Sequence, residues 1–280
     1  MKMAIQGPSG SGKTYSSLLV AHGLTNDWSK IAVIDTENGS AHLYADLGDY
    51  HVMTLKAPYS PERYIEAIKA AVNQGYQCLI IDSLSHEWSG TGGVLEIHSS
   101  IPGNSFAAWA KVTPRHNACV QEILQSDIHV IATMRSKTDY VMSDKNGKTV
   151  PEKVGLKATQ REDAEYEFTL VFELNHLNNA SVSKDRTGLF KNAHDIKLSQ
   201  ATGERINQWC SAESVLASLN MDSIDNHSLD DKINECGNME ELMKLYYDNK
   251  EQQHSHKDLF IKRKREIEQQ QPFISNGKHL

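Results

Sequence analysis

The sequence predicts an α/β fold with a mostly parallel central sheet flanked by helices, a late antiparallel hairpin and a small helical C-terminal tail. Apolar runs such as KIAVID, QCLIID and IHVIAT alternate with helical patterns, as in parallel sheets that are covered on both faces. A glycine-rich loop, GPSGSGKT, joins the first strand to the first helix. A later strand, EFTLVFEL, is followed at once by a turn and a second short strand.

The elements follow in order along the chain. We expect parallel strands at residues 3–6, 30–35, 52–55, 77–82 and 128–133. We expect helices at residues 14–24, 61–75 and 107–125, the last with a break near Pro114, because proline disrupts a helix interior. Residues 89–105 read as a loop, residues 136–161 as a long polar loop or hairpin, and residues 167–174 and 180–183 as the late strand pair.

The chain divides into a core and an appendage on this reading. Residues 1–211 carry the strand–helix alternation, whereas residues 212–280 are polar and helical, with short helices at 238–249 and 256–270. We therefore predict a core at 1–211 and a helical appendage at 212–280.

The loop at residues 7–14 carries the strongest chemical signal. It satisfies the pattern G-x-x-x-x-G-K-[ST] and has the required context, after a strand and before a helix. Its backbone N–H groups are expected to cradle phosphates, with Lys13 reaching the β- and γ-phosphates and the Thr14 hydroxyl binding Mg²⁺. The predicted ligands of ATP are Gly7, Pro8, Ser9, Gly10, Ser11, Gly12, Lys13, Thr14 and Tyr15.

Two further buried strands end in acids. The run 78–82 delivers Asp82 to the carboxyl edge of the sheet, where a carboxylate would help Thr14 to hold Mg²⁺. The run 33–37, VIDTE, places Asp35 and Glu37 at the same edge. A solvated strand end or a helix cap is the plain alternative for both of these acids, and we favour it for Asp35.

These motifs together resemble the RecA-like branch of P-loop ATPases, in which a general-base glutamate lies just beyond the second strand. The resemblance implies that Glu37 is the catalytic base and Lys13 the phosphate-binding lysine. Such ATPases commonly carry a K-x-R-x-G segment on a late strand, and Lys184 and Arg186 match it. The resemblance then implies that this pair enters a neighbouring subunit's ATP site, so that the protein is a homo-oligomer; a charged β-turn is the alternative.

The segment 136–161 occupies the place of a DNA-binding loop in RecA-like recombinases. From Arg135 to Arg161 the chain has seven basic and three acidic residues, a net charge of +4 in a protein of net charge −7. These charges would bind phosphates of single-stranded DNA, and Tyr140 could stack on a base. The resemblance implies that a polar residue at Thr133 senses the γ-phosphate, although RecA has glutamine there.

Residues 7–190 also resemble AAA-family ATPases of phages and prophages, in stretches such as FAAWAKVTPRHN and SVSKDRTGLF. The resemblance implies a role in recombination or annealing of single-stranded DNA, with a single-strand-binding protein as a further partner. No apolar run reaches the roughly 20 residues that span a bilayer, and the cysteines show no pairing pattern. We expect a cytoplasmic protein without a membrane partner.

Two other functions fit the same nucleotide-binding loop. A nucleotide switch or assembly ATPase would use the helices at 212–280 to bind a protein partner. A small-molecule kinase ranks last, because no lid with clustered arginines is visible and the IDTE and KDR segments would have no role.

Overall fold

The computed structural model describes residues 1–145, 148–161, 164–191, 193–222, 229–249 and 256–270. Within these ranges some side chains lie outside the description, namely those of 138–156, 213–222, 231 and 268–270. Tyr140, with its predicted base-stacking role, is one of them. By internal contacts the chain forms two compact units, Met1–Glu213 and Ser214–Leu280.

The first unit is built on an eight-stranded sheet. Its strands are β1 Lys2–Gly7, β2 Ile31–Asp35, β3 His51–Thr54, β4 Cys78–Asp82, β5 His129–Lys145, β6 Lys148–Ala158, β7 Leu170–Leu174 and β8 Ala180–Asp185. The order is β3-β2-β4-β5-β1-β7-β8, with β6 paired to the outer part of β5. All pairs from β3 across to β7 are parallel, and β7–β8 is antiparallel. The predicted fold, that of a P-loop nucleoside triphosphatase, is confirmed.

α-Helices follow β1, β3, β4 and β8. They are α1 Lys13–Thr25, α2 Pro61–Asn73, α3 Ser85–Ser89, α4 Val94–Ser100, α5 Ser105–Gln125, α6 Gln200–Asp222, α7 Leu229–Glu235, α8 Met239–Asp248 and α9 Lys257–Gln270. Two apolar cores cover the two faces of the sheet, one with Phe172 and Leu18 and the other with Tyr64 and Ile68. β2 and β4 are fully buried, as continuous apolar runs predict.

Three expectations from the sequence are wrong. The helix at Pro114 is unbroken: α5 runs through it as a single helix, and its buried face, with Val112, Cys119 and Ile123, offsets the cost of the interior proline. The expected loop at 89–105 contains α4 and the end of α3. The first strand of the late pair begins at Leu170, not at 167, because Ala164–Glu167 forms a 3₁₀ turn.

The segment after the parallel part of β5 is a hairpin. β5 pairs with β1 up to Arg135 and then, from Ser136, with β6, whose register runs back to Ala158. One continuous strand thus leaves the central sheet and forms one side of the hairpin.

The predicted boundary at 211/212 falls inside α6. In the second unit, α7, α8 and α9 enclose a small apolar cluster that includes Ile233, Leu242 and Phe260.

Candidate nucleotide site

The loop between β1 and α1 is shaped for an anion. Gly10 and Gly12 have φ angles of +79° and +82°, a backbone conformation that residues other than glycine rarely adopt. Gly12 is the N-cap of α1 and provides no side-chain cap. The first-turn N–H groups of a helix have no intrahelical acceptors, so at this end of α1 they are available to a phosphate group.

Lys13 lies inside the loop that it follows. Its Nζ donates to the carbonyl oxygens of Gly7 at 3.0 Å and Pro8 at 2.9 Å. Burial lowers the pKa of this ammonium group, whereas the nearby carboxylates of Asp82 and Glu37 act in the opposite direction. The ammonium group is therefore held in place by backbone oxygens, close to the uncapped helix end.

Thr14 and Asp82 are in direct contact across the site. The Thr14 hydroxyl donates to Oδ2 of Asp82 at 2.6 Å, and the Thr133 hydroxyl donates to Oδ1 at 2.6 Å. Ser40 adds a third hydroxyl, 3.2 Å from Oδ2. Burial raises the pKa of Asp82, and these hydroxyl hydrogen bonds offset part of that rise. A hydroxyl and a buried carboxylate form an oxygen donor set that fits Mg²⁺.

Asp35 shapes the turn that carries Glu37. Its Oδ1 accepts from the N–H of Glu37 at 2.7 Å, and its Oδ2 accepts from the N–H of Ala41 at 2.9 Å. Asp35 is fully buried and both of its oxygens are used in this way. The geometry gives Asp35 a structural role and directs Glu37 towards the loop at residues 7–14.

Glu37 is paired with Arg135, a contact that the sequence motifs do not reveal. Nε of Arg135 donates to Oε1 at 2.8 Å, and Nη2 of the same guanidinium donates to Oε2. Partial burial raises the pKa of Glu37, but the hydrogen bond and charge of Arg135 outweigh it, so the pKa lies below its usual value. The available signal was the position of Arg135 at the carboxyl edge of the sheet, beside Gly7.

These groups surround one cavity of about 620 Å³. Of the predicted residues, it is lined by Ser9, Gly10, Gly12, Lys13, Thr14, Tyr15, Glu37 and Asp82. Gly7 and Pro8 contribute the carbonyls that hold Lys13, and Ser11 is buried, its hydroxyl without a partner in the described part of the chain. The sequence did not predict Ser40, Tyr44, Arg135, Asn178, Lys197 or Leu198 in this lining.

An aromatic pair stands at one side of the cavity. The ring centroids of Tyr15 and Tyr44 are 5.4 Å apart, and Tyr15 is 42% exposed. Such rings offer apolar faces on which the base of a nucleotide could stack.

Lys184 and Arg186 lie away from this cavity. Lys184 is paired with Val171 on β7, and the N–H of Arg186 donates to Thr169. Thr169 in turn donates to Lys2, at the start of β1. Arg186 is thus level with Lys2, five residues from Gly7, whereas Lys184 is level with Ala4, three residues from Gly7. The two residues lie about 16 Å and about 10 Å along the sheet from the nucleotide loop. The fold does not bring Lys184 or Arg186 into the site of their own chain.

The described residues contain neither a ready-made metal cluster nor a membrane-spanning helix. In those ranges, no cluster of three or more histidine, cysteine or acidic side chains is arranged to hold a metal ion. Nor does any helix within them have the length and apolar character needed to cross a membrane.

Comparison with protein families identifies the core. The model of the family AAA_24, described as an AAA domain, matches residues 1–206. None of the curated proteins matches the chain. AAA domains are nucleotide-binding ATPase domains that usually work with Mg²⁺, in agreement with the geometry of the loop, Thr14 and Asp82. The chain belongs to the AAA_24 family of AAA-type P-loop ATPases.

Proposed function

We propose that this protein hydrolyses ATP with Mg²⁺ and acts on single-stranded DNA in phage-type recombination or annealing. The observation that carries the ATPase part is the single cavity that contains Lys13, Thr14, Asp82 and Glu37. Its volume lies within the range of ordinary small-molecule sites.

The residues of the cavity divide the work of binding. The N–H groups at the start of α1 and the Lys13 ammonium group bind the phosphates, and Tyr15 with Tyr44 provides a surface for the base. Thr14 and Asp82 hold Mg²⁺, which neutralises part of the phosphate charge during transfer.

Glu37 is the residue that we assign to the attacking water. It orients the water and accepts its proton as the water oxygen attacks the γ-phosphorus and the bond from that phosphorus to the β–γ bridging oxygen breaks, which gives ADP and phosphate. Arg135 supports this role, because its hydrogen bonds and charge lower the pKa of Glu37 and favour the ionised form that can accept a proton. Arg135 also occupies both oxygens of Glu37, so the pair must loosen before the carboxylate can accept a proton.

Lys184 and Arg186 support a homo-oligomer with the ATP site at a subunit interface. Neither residue lines the cavity of its own chain, so both are available to the ATP site of a neighbour. A cation supplied in trans would stabilise the charge on the transferring phosphoryl group.

The hairpin of β5 and β6 supports single-stranded DNA as the substrate. Residues 135–161 carry a net charge of +4, and salt-dependent contacts with phosphates are the usual source of affinity for a strand. A single-strand-binding protein is a further partner in this proposal.

ATP turnover measured with and without single-stranded DNA, alongside particle size, tests the proposal. We expect turnover to rise when DNA is added, to fall back as salt increases, and to be accompanied by particles larger than one chain. Turnover that is indifferent to DNA at every salt concentration would remove DNA from the proposal and leave the ATPase.

A second function, an assembly ATPase that binds a protein partner, is favoured by one feature of the second unit. Met243 and Tyr247 on α8 and Ile261 on α9 are exposed, beside a small groove lined by Leu242 and Phe260. Turnover stimulated by a protein partner but not by DNA would favour this function.

A further inference from the structure

A second cavity, of about 1200 Å³, lies in the core unit and shares no lining residue with the nucleotide cavity. We call it the aromatic cleft. Its walls come from α3, α5 and the chain that follows β6, and it is lined by Trp88, Phe106, Trp109, His116, Gln160 and Arg161, among others. All of these residues belong to the part of the chain that the structure describes.

Flat rings dominate one wall of the cleft. Trp88 and Trp109 are stacked with centroids 5.8 Å apart and an interplanar angle of 19°, and His98 stacks on Trp109 at 4.1 Å. Phe106, one turn before Trp109 on α5, is 84% exposed. A phenyl ring left in water at the edge of a stacked aromatic wall offers a face to a planar ligand.

The floor of the cleft is polar and hydrogen-bonded to the protein beneath it. Nδ1 of His116 lies 3.0 Å from Oε1 of Glu87, with both side chains buried. Gln160 donates to the carbonyl of Leu84 at 3.1 Å. Because these groups already have partners, the floor is a rigid support, and binding falls to the aromatic wall and the rim.

The rim is mostly basic. Lys157 and Arg161 line it, and Nη1 of Arg161 donates to Oδ1 of Asn117 at 3.1 Å. Glu167 is the acidic residue of the rim. The hairpin that begins next to the rim adds further lysines in sequence, which gives residues 135–161 their positive charge.

We propose that the aromatic cleft binds an unpaired base of single-stranded DNA by stacking, while the basic rim contacts the adjacent phosphates. The inference rests on the proposed function, in which such a strand is the substrate. Stacked rings beside a positive groove are the combination by which proteins hold single strands without reading their sequence. An apolar peptide fits less well, because it would cover Thr113, Asn117 and Gln121 of the same wall without giving them partners.

The helix α3 connects this cleft to the nucleotide site. Its first residue, Ser85, accepts the N–H of Arg135 at 2.9 Å, and Arg135 holds Glu37. Its third residue, Glu87, is hydrogen-bonded to His116, which lines the cleft. A base that moves α3 would therefore act on the residue pair that we assign to ATP hydrolysis.

The test compares two strands of equal length, oligo-dT and an abasic strand with the same phosphate backbone. Binding of each is measured by fluorescence anisotropy with wild type, Phe106→Ala and the control Tyr247→Ala, an exposed aromatic of the second unit. We expect wild type and the control to prefer oligo-dT, and Phe106→Ala to bind oligo-dT at least about 5-fold more weakly, with little change for the abasic strand. Because Phe106 is 84% exposed, its replacement by alanine should not unfold the chain. A second variant, Trp109→Phe, keeps an aromatic ring in the wall and should retain the preference for oligo-dT.

The possible failures are distinct. Equal affinity of Phe106→Ala and wild type for oligo-dT would overturn the cleft as a base site, while leaving DNA as the substrate. Equal affinity of wild type for the two strands would also overturn it, since only phosphates would then be bound. Binding of neither strand would overturn both proposals and favour a protein segment as the occupant of the cleft.

Discussion

The guanidinium group of Arg135 binds both carboxylate oxygens of Glu37, with Nε 2.8 Å from Oε1. The two residues are 98 positions apart in sequence. They meet because β2 ends, and β5 leaves the parallel sheet, at the same edge, on either side of β4. The pair sets the charge of the residue that we assign as catalytic base.

Removal of Arg135 should change the pH dependence of ATP turnover. Arg135 lowers the pKa of Glu37, so in Arg135→Ala the effect of burial is opposed only by His86 and Ser83, and the pKa of the carboxyl group rises. Because the base must be ionised, the acidic limb of kcat/KM should move to higher pH, by about one unit. Arg115→Ala is a matched control, since Arg115 binds Glu62 in the same two-pronged way outside the cavity. An acidic limb that stays in place in Arg135→Ala would separate Glu37 from the proton transfer.

Glu37→Gln should bind ATP and fail to hydrolyse it. The amide keeps the size of the side chain but cannot accept a proton from water, and loss of a general base typically lowers turnover by about 10²- to 10⁴-fold. Hydrolysis is measured by the release of phosphate from ATP, and binding is measured separately with a fluorescent ATP analogue. Glu62→Gln is the control for both measurements. Near-normal turnover in Glu37→Gln would assign the base elsewhere.

Lys13→Ala should lose nucleotide binding. Lys13 is the buried cation at the uncapped end of α1, and its removal would leave phosphate charge uncompensated in the cavity. We expect affinity for ATP to fall at least about 30-fold, as measured by isothermal calorimetry. Lys69→Ala, which removes an exposed lysine paired with Glu122, should bind as wild type does.

Asp82→Asn should separate stability from metal dependence. Burial raises the pKa of Asp82 above its unfolded value, so its contribution to stability is present at low pH and is lost as pH rises through the folded pKa. Replacement by the neutral amide removes that loss, so without Mg²⁺ at pH 8 the melting temperature should not fall below that of wild type. In wild type, ATP with Mg²⁺ should raise the melting temperature more than ATP alone, and in Asp82→Asn this difference should vanish. A metal effect of wild-type size in the variant would remove Asp82 from the metal site.

Mixed subunits test the pair on β8. Arg186→Ala and Glu37→Gln should each be inactive alone, and mixing them should restore part of the turnover, because some interfaces then combine an intact Glu37 with an intact Arg186. Lys184→Ala should behave as Arg186→Ala does. A mixture no more active than its components would indicate a site completed within one chain.

The fold could be predicted from the sequence wherever burial was continuous. β2 and β4 begin one residue after their predicted starts and end at the predicted residue. Each is a run of four apolar residues that ends in aspartate, a pattern typical of a buried parallel strand. The short helices α3 and α4 were missed, since glycines and serines around residues 89–105 obscure any helical period in five to seven residues. Pro114 predicts a break that α5 does not have, because tertiary packing outweighs the preference of proline against a helix interior.

The residues of the candidate site likewise divide into those that the sequence predicts and those that only the fold reveals. Lys13, Thr14 and Asp82 belong to short motifs that occur in a fixed structural context. The sequence alone therefore predicts that they lie in one site. Arg135, Tyr44 and Lys197 could not be found by pattern, because their place in the cavity depends on the order of strands in the sheet. The trans roles of Lys184 and Arg186 stay predictions.

The hairpin of β5 and β6 leaves the sheet at two residues that face each other. Ser136 and Ala158 are register partners, and the preceding residue, Arg135, still pairs with β1. The two ends are therefore about 5 Å apart, the distance that a tight turn spans. Shortening of the hairpin would therefore leave the register of the central strands unchanged, because the pairing of β5 with β1 and β4 ends at or before Arg135.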